Sequence, residues 1–579
     1  MFAGSEWTLS FNTADAIDAA VGQHRRDINL LLSRRNALSS TCRLPAEVLG
    51  MIFFALVQIW VRDYYGPAER HRREWFEWEW HTVTYICRHW RDVALRTPEL
   101  WTYIPLDAKN TASYFERSGQ LPLTVLHHVS AKPGQDSAQH LVENMWRVRH
   151  LHSPLHIDFV KCATMHGTLD APILEDAHIT FTPAIAFPGE ATFQVVPLPS
   201  WPRLRSFTAI RSPSVLLEAA IQPALTCLSI ERPHSRLSVE AWVALLRKTP
   251  LLESLHLKDA IKKPQSGAPL ALSTPSVPLQ SLRSLSLSES KDYSTNQQEY
   301  LLTRLSTPPD TKITYHERSA LSADAVFRAL ASNANGAPNG LGSPRPVVQA
   351  IDISFRQNEH IIDLFAADDA LAWTSISEPL EDPDDSDTVI TLGRHREGIL
   401  RHLCAHYPLN ELRAIRLTCG ARVHTRDWTA VGQLPPLREL EIADGHTSAA
   451  LCYLPSALSA QNAFPALETL IVSNIHWHPD KGDSLRPGLA TMGGNEVLEA
   501  LGSALATRRK RGAPLKRLAI LYFRRRLESW STYRADLRIL KKYVEEFHTS
   551  FDYEATDEDG CSECEYEGSD SEESASEFF

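Results

Sequence analysis

No stretch of the 579-residue sequence reaches the ~18 uninterrupted apolar residues that a membrane-spanning helix needs, so no membrane span is expected. The start, Met1-Phe2-Ala3-Gly4-Ser5-Glu6-Trp7, lacks the basic and apolar regions of a secretory signal, which argues against export. Cysteine is sparse: nine residues, most of them isolated within apolar patterns. That usage fits reduced thiols in a cytoplasmic or nuclear protein better than a disulfide framework. Catalytic signatures are missing as well. There is no Walker loop, no dinucleotide-binding glycine motif, no His-Glu-x-x-His and no Gly-x-Ser-x-Gly. His402 and His406 stand one helical turn apart with no acidic general base between them, and a solvated helix face accounts for them. His476 and His478 point to opposite faces of an extended segment. Cys561 and Cys564 have the spacing of a metal clip but lack the second pair that structural zinc requires. No catalytic residue, cofactor or metal site is therefore expected, and the chain reads as a non-enzyme.

The formal charge of −11 also hides an absence. Residues 552–579 carry 12 acidic and no basic side chains, which leaves 58 acidic against 59 basic in the remainder. The body is nearly neutral and offers no field to gather nucleic acid. The 552–579 tail has too few apolar residues to fold and is expected to be disordered. Within it Thr556, Ser562, Ser569 and Ser574 each have an acid three residues on, a pattern that resembles sites of acidophilic casein-type kinases. Phosphorylation there would deepen the negative charge. The run Arg508-Arg509-Lys510-Arg511, with Arg524-Arg525-Arg526 beyond, reads either as an anion-binding or nuclear-address patch or as the end of a helix, where cations suit the dipole.

What is present is apolar patterning. At 43% apolar and 22% charged the chain is globular and long enough for more than one domain. Residues 13–41 predict an amphipathic helix: Val21, His24, Ile28, Leu31, Arg35 and Leu38 alternate at three- and four-residue steps, and Thr13 is placed to cap it. It either lies against residues 58–81 or pairs with another copy. Next comes Leu44-Pro45-Ala46-Glu47-Val48-Leu49-Gly50-Met51-Ile52-Phe53. Pro45 suits a first helical turn, and Val48, Leu49, Ile52, Phe53 and Leu56 form one apolar stripe. A second segment, Ile86-Cys87-Arg88-His89-Trp90-Arg91-Asp92-Val93-Ala94, sets Ile86, Trp90, Val93 and Ala94 on one face.

These two segments together resemble an F-box, with its leading Leu-Pro, acidic residue, Leu/Ile-rich helix and closing Val-Cys-x-x-Trp-Arg. The chain departs from that pattern at Ile86, where Val is usual, and in the long insert 58–81 with Trp60, Trp75, Trp78 and Trp80. Such inserts, and flanks like Thr97-Pro98-Glu99-Leu100-Trp101, are similar to those of the F-box-like families of basidiomycete fungi. The resemblance implies a module at 42–105 that docks on a Skp-type adaptor and through it on a cullin-based ubiquitin ligase. On that reading Leu44, Pro45, Val48, Leu49 and Ile52 are the adaptor contacts, while Phe53, Ile86 and Trp90 hold the module together.

From 106 to 550 an approximate repeat Leu-x-x-Leu-x-Leu appears, as in Leu225/Leu228/Ile230, Leu252/Leu255/Leu257, Leu437/Leu440/Ile442 and Leu515/Leu518/Ile520. Consecutive first leucines fall 27, 30, 25 and 30 residues apart. In a strand the last two positions of each unit point into one core. Helical stretches lie between units, and one unit cannot bury its own apolar face, so the units must stack. The expected fold class is α/β: an all-α N-terminal module, then an irregular leucine-rich-repeat-like solenoid of mostly parallel strands. Residues 288–411 follow the repeat least, apart from 348–355, which alternates like a strand. The functional expectation is a ligase adaptor whose repeats bind an unknown protein substrate. The alternative is a ligase-independent scaffold in which the helical hairpin only caps the repeats.

Overall fold

The computed structural model describes residues 13–65, 79–106, 110–126, 135–155, 170–181, 200–212, 214–262, 277–289, 297–308, 311–317, 326–330, 348–355, 359–365, 388–393, 398–419, 423, 425–444, 449–473, 494–521 and 537–549. The acidic tail with Thr556, Ser562, Ser569 and Ser574 lies outside them, as do His476, His478, Cys561, Cys564 and Arg524–Arg526. The chain is mixed α/β and divides into two units, Met1–Ala220 and Ile221–Phe579. The first unit thus holds the N-terminal helices together with the first strands. A single-turn helix, Pro98–Trp101, leads from those helices into the first strand and buries Leu100 and Trp101.

In the first unit α1 (Ala14–Ala37) starts where the sequence places it, with the Thr13 side chain accepting from the Ala16 N–H at 3.3 Å. α2 (Ala46–Tyr65) follows Pro45 and runs on into the segment that the sequence sets apart as an insert. Of that insert, 66–78 lies outside the described residues. α3 (Val83–Ile86) and α4 (Arg88–Leu95) are separated by Cys87 alone, which is extended at φ −156, ψ 166. Five strands then pair in parallel and in chain order: β1 (Tyr103–Pro105), β2 (Leu123–Leu126), β3 (Val148–Leu155), β4 (Asp176–Phe181) and β5 (Ser206–Ile210). α5 (Thr111–Arg117) and α6 (Gln135–Asn144) make the first two crossovers. Alternation decides the buried side: Ala177, Ile179 and Phe181 on β4 and Phe207 and Ala209 on β5 are inside.

The second unit repeats this arrangement over a longer sheet. Its strands are β6 (Cys227–Glu231), β7 (Ser254–Lys258), the two-residue β8 (Val277–Pro278), β9 (Ser284–Glu289), the two-residue β10 (Leu305–Ser306), β11 (Lys312–Glu317), β12 (Ala350–Phe355), β13 (Glu359–Phe365), β14 (Thr388–Gly393), β15 (Ala414–Cys419), β16 (Glu439–Asp444), β17 (Thr469–Ser473), β18 (Leu515–Leu521) and β19 (Val544–Thr549). The short β8 and β10 pair with each other. The rest follow the order β6-β7-β9-β11-β14-β13-β12-β15-β16-β17-β18-β19. The leucine units set the register: Leu228 pairs with Leu255, Leu255 with Leu285, Ile415 with Leu440, and Leu440 with Leu470. The first leucine of each unit is buried too, among them Leu225, Leu252, Leu412 and Leu437. It sits in a turn whose N–H bonds back three residues, as in Leu252 to Thr249 at 3.2 Å.

One carbonyl per unit then ties that turn to the next unit by accepting two N–H groups. Thr226 accepts from Glu253 and Ser254, Glu253 from Arg283 and Ser284, and Arg438 from Glu468 and Thr469. Helices fill the crossovers and bury large side chains against the sheet, with Trp242 and Trp428 both at 0% exposure. In the stretch where the repeat is faintest, β12, β13 and β14 form a meander, and β13 runs antiparallel to both neighbours. Every other pairing of strands described within this unit is parallel.

Buried arginines close the turns between helices. Arg147, 3% exposed, donates to the carbonyls of Phe115 and Gly119 and to Ser118 Oγ at 2.7–3.0 Å, satisfying the end of α5. Arg508 ends the helix Gly494–Lys510, is also 3% exposed, and donates to the Ala463 and Phe464 carbonyls at 3.0 Å. Arg511 reaches the Ser459 and Ala460 carbonyls. Of the two readings of the basic run, the helix-end one describes Arg508. Replacing Arg508 by Ala should lower the urea-unfolding stability of this unit by about 3 kcal/mol, since it strands carbonyls that a charged donor serves. Lys510→Ala, at an exposed position, should change it by less than about 0.5 kcal/mol.

Candidate protein-docking face on the N-terminal helices

α2 is apolar nearly all round, and that decides its chemistry. Leu49, Phe53, Val57 and Trp60 recur at helical spacing and are buried, the first three at 0–1% exposure. The opposite face carries Met51, Ile52, Leu56 and Ile59, all exposed, with Ile52 at 42% and Met51 at 65%. Val48 between the two faces is half-buried. A helix hydrophobic on every side is normally enclosed, whereas the outer face of α2 is open to solvent. α3 adds to the exposed apolar surface of these helices, because Val83 is buried while Tyr85 and Ile86 are 77% and 56% exposed.

The sequence-derived site residues divide accordingly. Of the expected adaptor contacts, Ile52 and Pro45 are exposed, and Leu44 and Val48 are half-buried. Leu49 is neither: it is at 0% exposure and belongs to the core, since it is one residue round the helix from Val48. Phe53 holds the core as expected, with its ring 5.1 Å from that of Trp90. Ile86 corrects the other way. The extended Cys87 ends α3 before α4 begins, so Ile86 shares no helical face with Trp90 and points outward. Met51, Leu56, Ile59 and Tyr85 complete the exposed apolar set. The signal for them was the apolar excess of 46–60, which a single stripe cannot absorb.

Packing behind this face is aromatic. The Cys87 thiol accepts from the Trp90 N–H and lies 3.7 Å from the Cys42 sulfur, joining the approach to α2 with the α3–α4 junction. Trp101 Nε1–H donates to the Ala94 carbonyl at 2.9 Å, and the Trp101 ring meets Trp80 and Tyr114 edge-on at 5.3 and 5.0 Å. The Tyr114 hydroxyl and His81 Nε2 are hydrogen-bonded to each other. Burial, helped by the charge of Arg117, pulls the His81 pKa from 6.5 down to about 4, which keeps the ring neutral. Burial pushes the Tyr114 phenol well above its usual range.

Elsewhere the outward rows of β7 and β9 are polar and half-buried: Ser254, His256 and Lys258 on β7 face Ser284, Ser286 and Ser288 on β9. Lys258 pairs with Glu231 at 2.6 Å, and Arg416 with Glu441 at 2.7 Å. Among the described residues no three His, Cys, Asp or Glu side chains come together as a metal site would need, and no helix is long and apolar enough to cross a membrane. His402 and His406 both lie on the helix Ile399–His406.

No family model matches the chain, and no curated protein matches it. Among solved structures it is similar to a chain in the crystal structure of the Rad7 and Elc1 complex in yeast, at 13% identity over 82% of this chain and 95% of that one, with a TM-score of 0.28. A superposition that loose carries no argument about fold or partner.

Two measurements test this arrangement. Leu49→Ala should cost about 2–5 kcal/mol of stability, as a buried leucine does, while Ile52→Ala should cost about 0.5 kcal/mol or less. Because the folded pKa of His81 lies below its unfolded value, the unfolded chain binds more protons between the two, and stability falls with acid there. The melting temperature of the first unit should therefore drop as pH is lowered from about 6.5 to about 4, and His81→Gln should flatten that slope.

Proposed function

We propose that this chain is a non-catalytic recognition subunit: its N-terminal helices dock on a Skp-type adaptor and so on a cullin-based ubiquitin ligase, and its strand–helix array selects a protein target. The observation that carries the reading is the exposed apolar face of a helix already buried on its other side. The order of Leu44-Pro45, the apolar helix and Cys87-x-x-Trp90 agrees with the F-box resemblance. The array fits an irregular leucine-rich-repeat-like domain, because its leucine units stack in register through one shared carbonyl per turn. The polar outer rows on β7, β9 and β15–β16 would then meet the target.

A scaffold independent of any ligase is the second reading. What favours it is the Trp80–Trp101–Tyr114 packing, which makes the helices a fitting cap for the first strands. The two readings part at cullin capture. With the full chain as bait, the ligase reading expects a Skp-type adaptor and a cullin to co-purify. Ile52→Glu with Ile59→Glu should abolish that capture at least tenfold with an unchanged melting temperature. Leu44→Ala with Pro45→Ala should also weaken it. Adaptor capture that survives the glutamate pair, or clients recovered with no cullin, would refute the ligase reading.

A further inference from the structure

The strongest unexplained feature is α1. It is 24 residues long and has no buried residue, yet Ile17, Val21, Ile28, Leu31 and Leu38 are exposed at 41–78%. In proteins most helical stability comes from packing an amphipathic face, and α1 spans about 36 Å at 1.5 Å per residue. The stripe has heptad spacing. Val21, Ile28 and Arg35 occupy one seam position, and Ile17, His24, Leu31 and Leu38 the other. Val21 and Ile28 at the first position with Ile17, Leu31 and Leu38 at the second make an apolar seam of the coiled-coil kind.

We propose that α1 pairs with α1 of a second copy of this chain, antiparallel, as a two-stranded coiled coil. Charge sets the direction. The first turns carry Asp15 and Asp18, whereas the later ones carry Arg25, Arg26, Arg34 and Arg35 against Asp27 alone. A parallel pair would stack Arg35 on Arg35 and His24 on His24 and would set like ends together. An antiparallel pair instead layers Val21 on Leu31 and His24 on Ile28 of the other copy. The aliphatic stem of Arg35 then lies over Ile17, with its guanidinium near the other copy's Asp15 and Asp18. Each end of the coil thereby meets its opposite charge. The dimer presents two docking faces and two strand arrays per particle, a bivalent receptor.

Sedimentation velocity on the full chain at micromolar concentrations tests this. The expected mass is twice the 65.0 kDa of one chain, returning to 65.0 kDa for Ile28→Asp with Leu31→Asp. Because α1 buries nothing, that variant should keep its melting curve. Direction is read by mixing Ile17→Cys chains with Arg35→Cys chains under mild oxidation and mapping the linked peptides. A 17-to-35 crosslink is expected. A wild-type chain that stays monomeric, as it would if α1 folded onto residues 66–78 of its own chain, overturns the proposal. A dimer that survives the aspartate pair also overturns it, and a dominant 17-to-17 crosslink overturns the antiparallel arrangement.

Discussion

Leu49 and Ile52 are three residues apart on one helix, and water reaches only one of them. The docking proposed for these helices depends on that division. The inner row of α2 gathers Phe53, Val57 and Trp60 into a core whose contacts include Trp90. Each such burial contributes about 1.5–3 kcal/mol, enough to fix the orientation of the helix. Once it is fixed, the outer row has no choice but to face solvent. The apolar excess of the helix thus becomes a surface that is stable as a structure and unsatisfied as chemistry, and such surfaces mark interaction sites.

A parallel constraint governs the strands. A strand–helix unit exposes the apolar side of its strand until the next unit covers it, so units persist only in register. The pairing of Leu228 with Leu255 and of Leu255 with Leu285 meets that condition. The double acceptance by Thr226, Glu253 and Arg438 secures each turn. Buried Arg147 and Arg508 perform the same service for carbonyls that no neighbouring N–H reaches. Register leaves the outward rows of β7 and β9 polar.

How far the sequence could be read follows from these same forces. The strand units were legible because a period of two sets inside from outside without ambiguity, and β12 was visible at 348–355 for that reason. The meander that follows was not, since reversal of β13 takes its residues out of the leucine period. On α2 the apolar residues were visible but their sidedness was not: a helix apolar all round offers no polar stripe to mark the solvent side, so Leu49 read as a contact. Ile86 was misassigned because one extended residue, Cys87, separates two helices that the spacing joins into one. Thr13 as a cap was legible from local chemistry alone, whereas the basic run left two readings open, because the burial of Arg508 depends on a turn over forty residues away in sequence.

Met51 offers the most direct measurement of the central claim. It sits on the outer face of α2 at 65% exposure, whereas Met145 in the core is at 2%, and thioether oxidation follows access. Sulfoxide formation at Met51 under dilute peroxide, read by peptide mass spectrometry on the full chain, should be fast alone and strongly slowed by a purified Skp-type adaptor, with Met145 slow in both. An adaptor that fails to bind, or that binds and leaves Met51 oxidation unchanged, would contradict the assignment of this face as the docking site.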